Sequence, residues 1–209
     1  MKKILLIGLL CFISVISAAQ TGKGKFLVGM GTSLGLGQND GLMGIAFTNS
    51  KTEIAGSGSV EETQTSLFLS VRGGYFIANG LVTGLELATS TSTGTTKSAG
   101  LELDSQSSFF GAGPWVRYYF SSQKIIPFAE VNSLFGSRGQ TTEGSGIDSD
   151  LNYTVSNLGG GLGIVFLLGE KSSLDLSLTY NGTNLKEKDL KLTTNQNSLG
   201  MKFGFSMFF

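Results

Sequence analysis

No histidine occurs in the 209 residues, and the one cysteine, Cys11, falls among the first twenty. Without imidazole, a serine nucleophile lacks its ordinary base and metal sites lose their commonest ligand. A single cysteine gives no disulfide framework. Proline is nearly absent, with two residues, and only 14% of side chains are charged, which is little for a solvated surface. Basic and acidic residues balance at 15 each, so the chain carries no basic surplus to suit nucleic acid. After the N-terminal stretch no apolar run approaches the roughly 20 residues of a transmembrane helix. If this chain is integral to a membrane, it must cross as a closed barrel of strands.

The N-terminal stretch reads as an export signal, expected to occupy 1–19. Lys2 and Lys3 form its positive end, 4–16 is uncharged and apolar, and Ser17-Ala18-Ala19 supplies small residues for cleavage before Gln20. The apolar part is short for a membrane anchor. Leu9 and Leu10, preceding Cys11, are not the small residues of a lipoprotein signal. Removing 1–19 takes Lys2 and Lys3 away and leaves a slightly acidic domain, 20–209, with no Cys.

What is present is glycine (31), phenylalanine (15) and a recurrent period of two. The terminal stretch shows it most clearly. Leu199, Met201, Phe203, Phe205, Met207 and Phe209 occupy alternate positions, and between them stand Ser198, Gly200, Lys202, Gly204, Ser206 and Phe208. On a strand the first set lines one face, as lipid requires, and the second points into a lumen. The same reading gives strands at about 26–36, 65–76, 81–89, 107–120, 125–135, 151–168, 173–180 and 196–209. Short turns at 77–80, 121–124 and 169–172 alternate with long polar segments at 37–64, 90–106, 136–150 and 181–195. The expected fold is an all-β, eight-stranded antiparallel up-and-down transmembrane β-barrel with both termini on the short-turn side. Residues 42–47 are open between extending a strand and folding over the mouth. In 151–168 the phase changes between Val155 and Leu158, which suggests a bulge near Asn157 or a strand end beyond the lipid. Pro114 and Pro127 each remove a ladder donor, so bulges or strand ends are expected there.

Charge placement distinguishes the faces. Arg72, Glu86, Arg117, Glu130, Asp175 and Lys202 are the charges well inside the strand candidates, and all oppose the apolar stripe. A soluble lipocalin-like barrel would carry many charges outside. Signs alternate between neighbouring strands except at the neutral 151–168, and all six fall near the short turns. In a narrow barrel they should meet as a cross-lumen ion network, because an unpaired buried charge costs several kcal/mol. Such a network can be a plug that fixes strand packing or a charged constriction in an ion path. Eight-stranded barrels are just wide enough for side chains to fill, which favours the plug.

Three local runs resemble a known group: Gly111-Ala112-Gly113-Pro114-Trp115-Val116-Arg117-Tyr118-Tyr119-Phe120, Gly73-Gly74-Tyr75-Phe76-Ile77-Ala78-Asn79-Gly80-Leu81, and the terminal Lys202-Phe203-Gly204-Phe205-Ser206-Met207-Phe208-Phe209. Together they are similar to the Gram-negative outer-membrane β-barrel domain family, of the small OmpA/OmpX-like porin-superfamily type. The resemblance covers 20–209. It implies an integral outer-membrane protein with periplasmic termini, surrounded by outer-membrane lipid and lipopolysaccharide. It also implies a terminal signal for the barrel-assembly machinery carried by Lys202, Gly204, Met207 and Phe209; Met207 departs from the family's aromatic. It fixes function poorly, since this barrel hosts structural proteins, adhesins, pores and a few enzymes.

Little catalytic chemistry is expected. Glu86 and Glu130 share the lumen face but adjoin arginines, an arrangement unlike an acid–base pair with separated pKa values. Asp148-x-Asp150-x-Asn152 copies the opening of a calcium loop, but Tyr153 stands where the loop needs Gly and Gly159 where it needs Glu. Gly159-Gly160-Gly161 has no helix after it and suits close backbone packing or a bulge better than a nucleotide. Trp115, Tyr118, Tyr119 and Phe120, near a short turn, suit an aromatic girdle where they face lipid. The long segments hold few aromatics, and Arg138 and the 186–191 charge cluster are their contact candidates. The expectation is a non-enzymatic, cofactor-free barrel, sealed and structural, with surface loops for envelope integrity or contact to an unspecified surface partner. The alternative is a narrow porin for ions or small solutes.

Overall fold

The computed structural model describes residues 21–35, 46–54, 58–98, 101–120, 125–144, 146–187 and 193–209. The expected signal at 1–19, Gln20, Cys11, Leu42 and the turn 121–124 lie outside the described residues. Nine strands follow in order: β1 (Phe26–Gly35), β2 (Ala46–Ile54), β3 (Gly58–Ala78), β4 (Leu81–Ser98), β5 (Leu101–Tyr119), β6 (Ile125–Gly144), β7 (Ile147–Leu167), β8 (Ser172–Glu187) and β9 (Thr193–Phe208). Every pairing is antiparallel between neighbours, and β1 closes the ring by pairing with both β9 and β3. β2 does not widen that ring. β1 holds the lower edge of β3, from Phe26↔Tyr75 to Gly31↔Ser70, and β2 holds the upper edge, from Ala46↔Ser66 to Ile54↔Gly58. The molecule is therefore a closed, eight-stave, up-and-down barrel.

Hydrophobic alternation explains the outer face. Leu67, Leu69, Val71, Tyr75 and Ile77 on β3 are exposed, as are Leu85 and Leu87 on β4 and Leu158 and Leu162 on β7. The β3 stretch from Leu67 to Ile77 matches the roughly 9–11 residues with which a tilted strand crosses a bilayer. A continuous apolar belt of this kind is unfavourable in water and satisfied in lipid. At the short-turn end, Asn79-Gly80 joins β3 to β4 with Gly80 at φ 77°, the positive region that a two-residue hairpin demands. The register shifts between Phe76 and Ala78, leaving Ile77 in a bulge. The first and last described segments meet here: Phe26 N–H donates to Phe209 O at 3.0 Å, and Gly80 N–H to Thr21 O at 2.8 Å.

The staves run well past the belt, where the sequence suggested long loops. β4 and β5 remain paired to Ser98↔Leu101, and β6 and β7 to Gly144↔Ile147, so the described parts of the segments expected as loops at 90–106 and 136–150 are paired strands. Within Thr89–Thr96 both faces are polar, which hides the period of two, yet β-branched threonine suits a strand. Phe47 lies on β2 and so extends the sheet. β7 carries no bulge at Asn157, since its register with β6 is continuous. Tyr153, Val155 and Asn157 simply face inward, and the lumen rather than the lipid takes Val155. Pro114 interrupts the β5–β6 ladder between Ala112↔Phe135 and Trp115↔Asn132 without shifting its register. A Cβ on the preceding Gly113 would collide with the Ser133 carbonyl oxygen. Pro127 is close to the start of β6, and its carbonyl accepts from Phe120 N–H at 2.9 Å.

Candidate functional site

Six strands bring one charge each to a single level inside the barrel. Arg72 stands opposite Glu86 across β3–β4, and Arg117 opposite Glu130 across β5–β6. Asp175 comes from β8 and Lys202 from β9. β7 brings no charge but a row of glycines. Gly163 lies where a Cβ would approach the Phe128 ring and Ser177 Cβ, each to 2.6 Å. The space that β7 leaves is filled by long side chains from the other staves, so its neutrality is part of the packing.

Glu130 is the hub. Its Oε2 accepts from Arg72 Nη1 at 2.6 Å and from Arg117 Nε at 2.8 Å, and its Oε1 lies 3.6 Å from Lys202 Nζ. Glu86 Oε1 takes Lys202 Nζ at 2.8 Å from across the lumen and Arg72 Nη2 at 3.3 Å. Asp175 Oδ2 accepts from Arg117 Nη1 at 2.6 Å and from Ser206 Oγ at 3.2 Å, while Ser173 Oγ donates to its Oδ1 at 3.0 Å. All six side chains are buried. Buried ions hold together only when such partners satisfy them, and each arginine does so by bridging two carboxylates, Arg72 between Glu130 and Glu86 and Arg117 between Glu130 and Asp175. Trp115 lies beneath both guanidiniums, whose Cζ atoms are 5.1 Å (Arg72) and 5.8 Å (Arg117) from its ring centre, and Arg117 also stacks at 4.0 Å on Phe128.

An apolar cluster lies on either side of this level. Below it, toward the short turns, Leu27, Phe76, Val82, Trp115, Ile126 and Val165 pack together with further aromatics. Above it stand Phe68, Ala88, Phe109, Leu134, Val155 and Leu185. A cavity of about 20 Å³ between Glu130, Asn132 and Lys202 on one side and Phe68 and Leu134 on the other is large enough for about one water.

Sequence reasoning missed these layers. Trp115 and Tyr119 belong to the lower one, at 1% and 3% exposure, so only Tyr118 and Phe120 of the expected girdle face outward. The available signal was parity, since Trp115 and Tyr119 are in phase with Arg117. Of the terminal residues, Lys202 folds into the network, Gly204 approaches Asp175 Cβ so that a Cβ there would lie 3.4 Å away, and Met207 and Phe209 are exposed on the outside.

Other candidates separate. Arg138 is on β6 rather than in a loop, and its Nη2 donates to Ser107 Oγ at 3.1 Å. Lys186 and Glu187 end β8, and 188–191 lie outside the described residues. Asp148, Asp150 and Asn152 are on the continuous strand β7, not in the loop that their spacing copies, and no group of three or more acidic, His or Cys side chains among the described residues could hold a metal ion.

The closed eight-stave ring, its apolar belt and its filled lumen decide the architecture. This is a small up-and-down transmembrane β-barrel. Among solved structures the chain is similar to Neisserial surface protein A (17% identity, covering 88% of this chain and 97% of that one, TM-score 0.47), Ail, the attachment invasion locus protein of Yersinia pestis (12%, 90% and 99%, 0.47), and the outer membrane protein OprG from Pseudomonas aeruginosa (14%, 92% and 99%, 0.44). No protein-family model and no curated protein sequence matches the chain.

Proposed function

We propose that the protein is a sealed structural barrel of the outer membrane, with periplasmic termini, whose wall beyond the lipid serves envelope integrity or surface contact. The observation that carries this reading is the saturated ion layer held between two apolar layers. A conducting lumen would need a hydrated path past both. The charges instead engage one another and fill the width of the barrel, as favours a plug in an eight-stranded ring. The apolar belt supports contact with outer-membrane lipid, and the polar wall above it supports proximity to lipopolysaccharide. The exposed Met207 and Phe209, with Gly204 and Lys202 before them, support a role as the assembly signal. Uptake of arabinose into liposomes containing the folded protein tests the seal. Swelling no faster than that of protein-free liposomes is expected, and rapid swelling would establish the rival reading, a narrow porin.

A further inference from the structure

Above the apolar belt the outer face of β3–β6 curves into a groove of about 350 Å³. Two cross-strand ranks line it. One runs Thr63, Thr95, Asp104, Glu143, and the next Thr65, Thr93, Gln106, Thr141. Parity places both ranks on the same outward face as Leu67, Leu87, Phe110 and Phe135. The volume is at the lower end of the roughly 300–1,000 Å³ of ligand sites.

The lining selects a chemistry. Among the described side chains it contains threonine hydroxyls, one carboxamide and two carboxylates, with no aromatic ring and no cation. A phosphate or sulfate would face Asp104 and Glu143 and be repelled. A flat apolar ligand would find no platform. Threonine offers a donor, acceptor lone pairs and a methyl group, while a carboxylate accepts two hydroxyls at once. Thr95 Oγ1 already donates to Asp104 Oδ1 at 2.7 Å, which fixes that carboxylate toward its neighbours. Closely spaced acceptors and donors beside small methyl faces complement the vicinal hydroxyls and C–H faces of a sugar.

We propose that this groove binds an uncharged glycan. The proposal rests on the reading that the projecting wall lies outside the cell, and it is independent of whether the lumen conducts. The sugar chemistry has two possible sources, the lipopolysaccharide of the same leaflet or a free glucan. The protein purified from membranes in a detergent without sugar headgroups is titrated by NMR with three probes: a dephosphorylated core oligosaccharide released from lipopolysaccharide, isomaltotriose, and a heparin disaccharide.

Binding of at least one neutral probe is expected, with the heparin disaccharide excluded. The T93V/T141V pair and E143Q should each weaken binding at least tenfold, and T93S/T141S, which keeps the hydroxyls, should retain it. Preference for the core oligosaccharide assigns the lipid source, and preference for isomaltotriose the free one. Absence of neutral binding, equal binding of the sulfated probe, or folded valine and glutamine variants that bind like the parent would overturn the proposal. Labelling of T154C on intact cells by a membrane-impermeant maleimide separates the two readings. A labelled wall without glycan binding sinks the groove alone, whereas an unlabelled wall sinks the surface reading beneath it.

Discussion

Glu130 receives Arg72, Arg117 and Lys202, so neutralising it leaves three buried cations facing two carboxylates. Breaking a buried pair from one side costs about 3–5 kcal/mol. Glu130→Gln should therefore lower stability by that order, read from urea unfolding in lipid vesicles with Trp115 fluorescence as the probe. Trp115 is the only tryptophan and lies against two of the arginines, so its signal reports the network itself. Lys97→Ala removes an ion pair that is more than half exposed, at 2.9 Å from Glu102, and should cost less than about 1 kcal/mol. Equal losses from the two variants would contradict the energetic weight given to the lumen. The six charges were legible in the sequence because each falls on the face opposite its strand's apolar stripe. The residues that enclose them were not. Phe76, Trp115 and Phe208 face the lumen, yet their chemistry matches that of the lipid-facing Phe110 and Phe203, and near the short turns both faces are apolar. Only parity against Arg72, Arg117 and Lys202 assigns them inward.

The strands themselves were legible where one face meets lipid and indistinct where both faces are polar. β4 shows the difference within one element, passing from Leu85 and Leu87 to the threonine ladder of Thr89–Thr95. Hydrophobic contrast ends at the membrane boundary although the hydrogen-bonded ladder continues. β7 shows a second cause. Its outward leucines are even-numbered, whereas inward Val155 and Tyr153 are odd, so one uninterrupted strand resembles two in different phase. The boundary between belt and wall is testable by charge. Leu85→Arg, in the belt, should cost about 2–4 kcal/mol in vesicles, and Asn152→Arg, on the wall, about 0–1 kcal/mol. Similar costs at both positions would mean that the belt is misplaced along the strands.

At the scale of the whole molecule, closure and filling are linked. β1 pairs with β9 and β3, and this narrows the ring until charges from β4 and β9 meet, as Glu86 and Lys202 do at 2.8 Å. The same narrowness brings apolar side chains together on either side of the ion layer. On the proposed reading, a sealed core and a projecting polar wall divide the molecule into a part that anchors and a part that meets its surroundings. The measurement that tests this most directly is single-channel recording of the folded barrel in a planar bilayer in potassium chloride. The account predicts a silent baseline from barrels whose heat-modifiable gel mobility shows them folded. Discrete, reproducible open steps would contradict it and make the six lumen charges the lining of a pore.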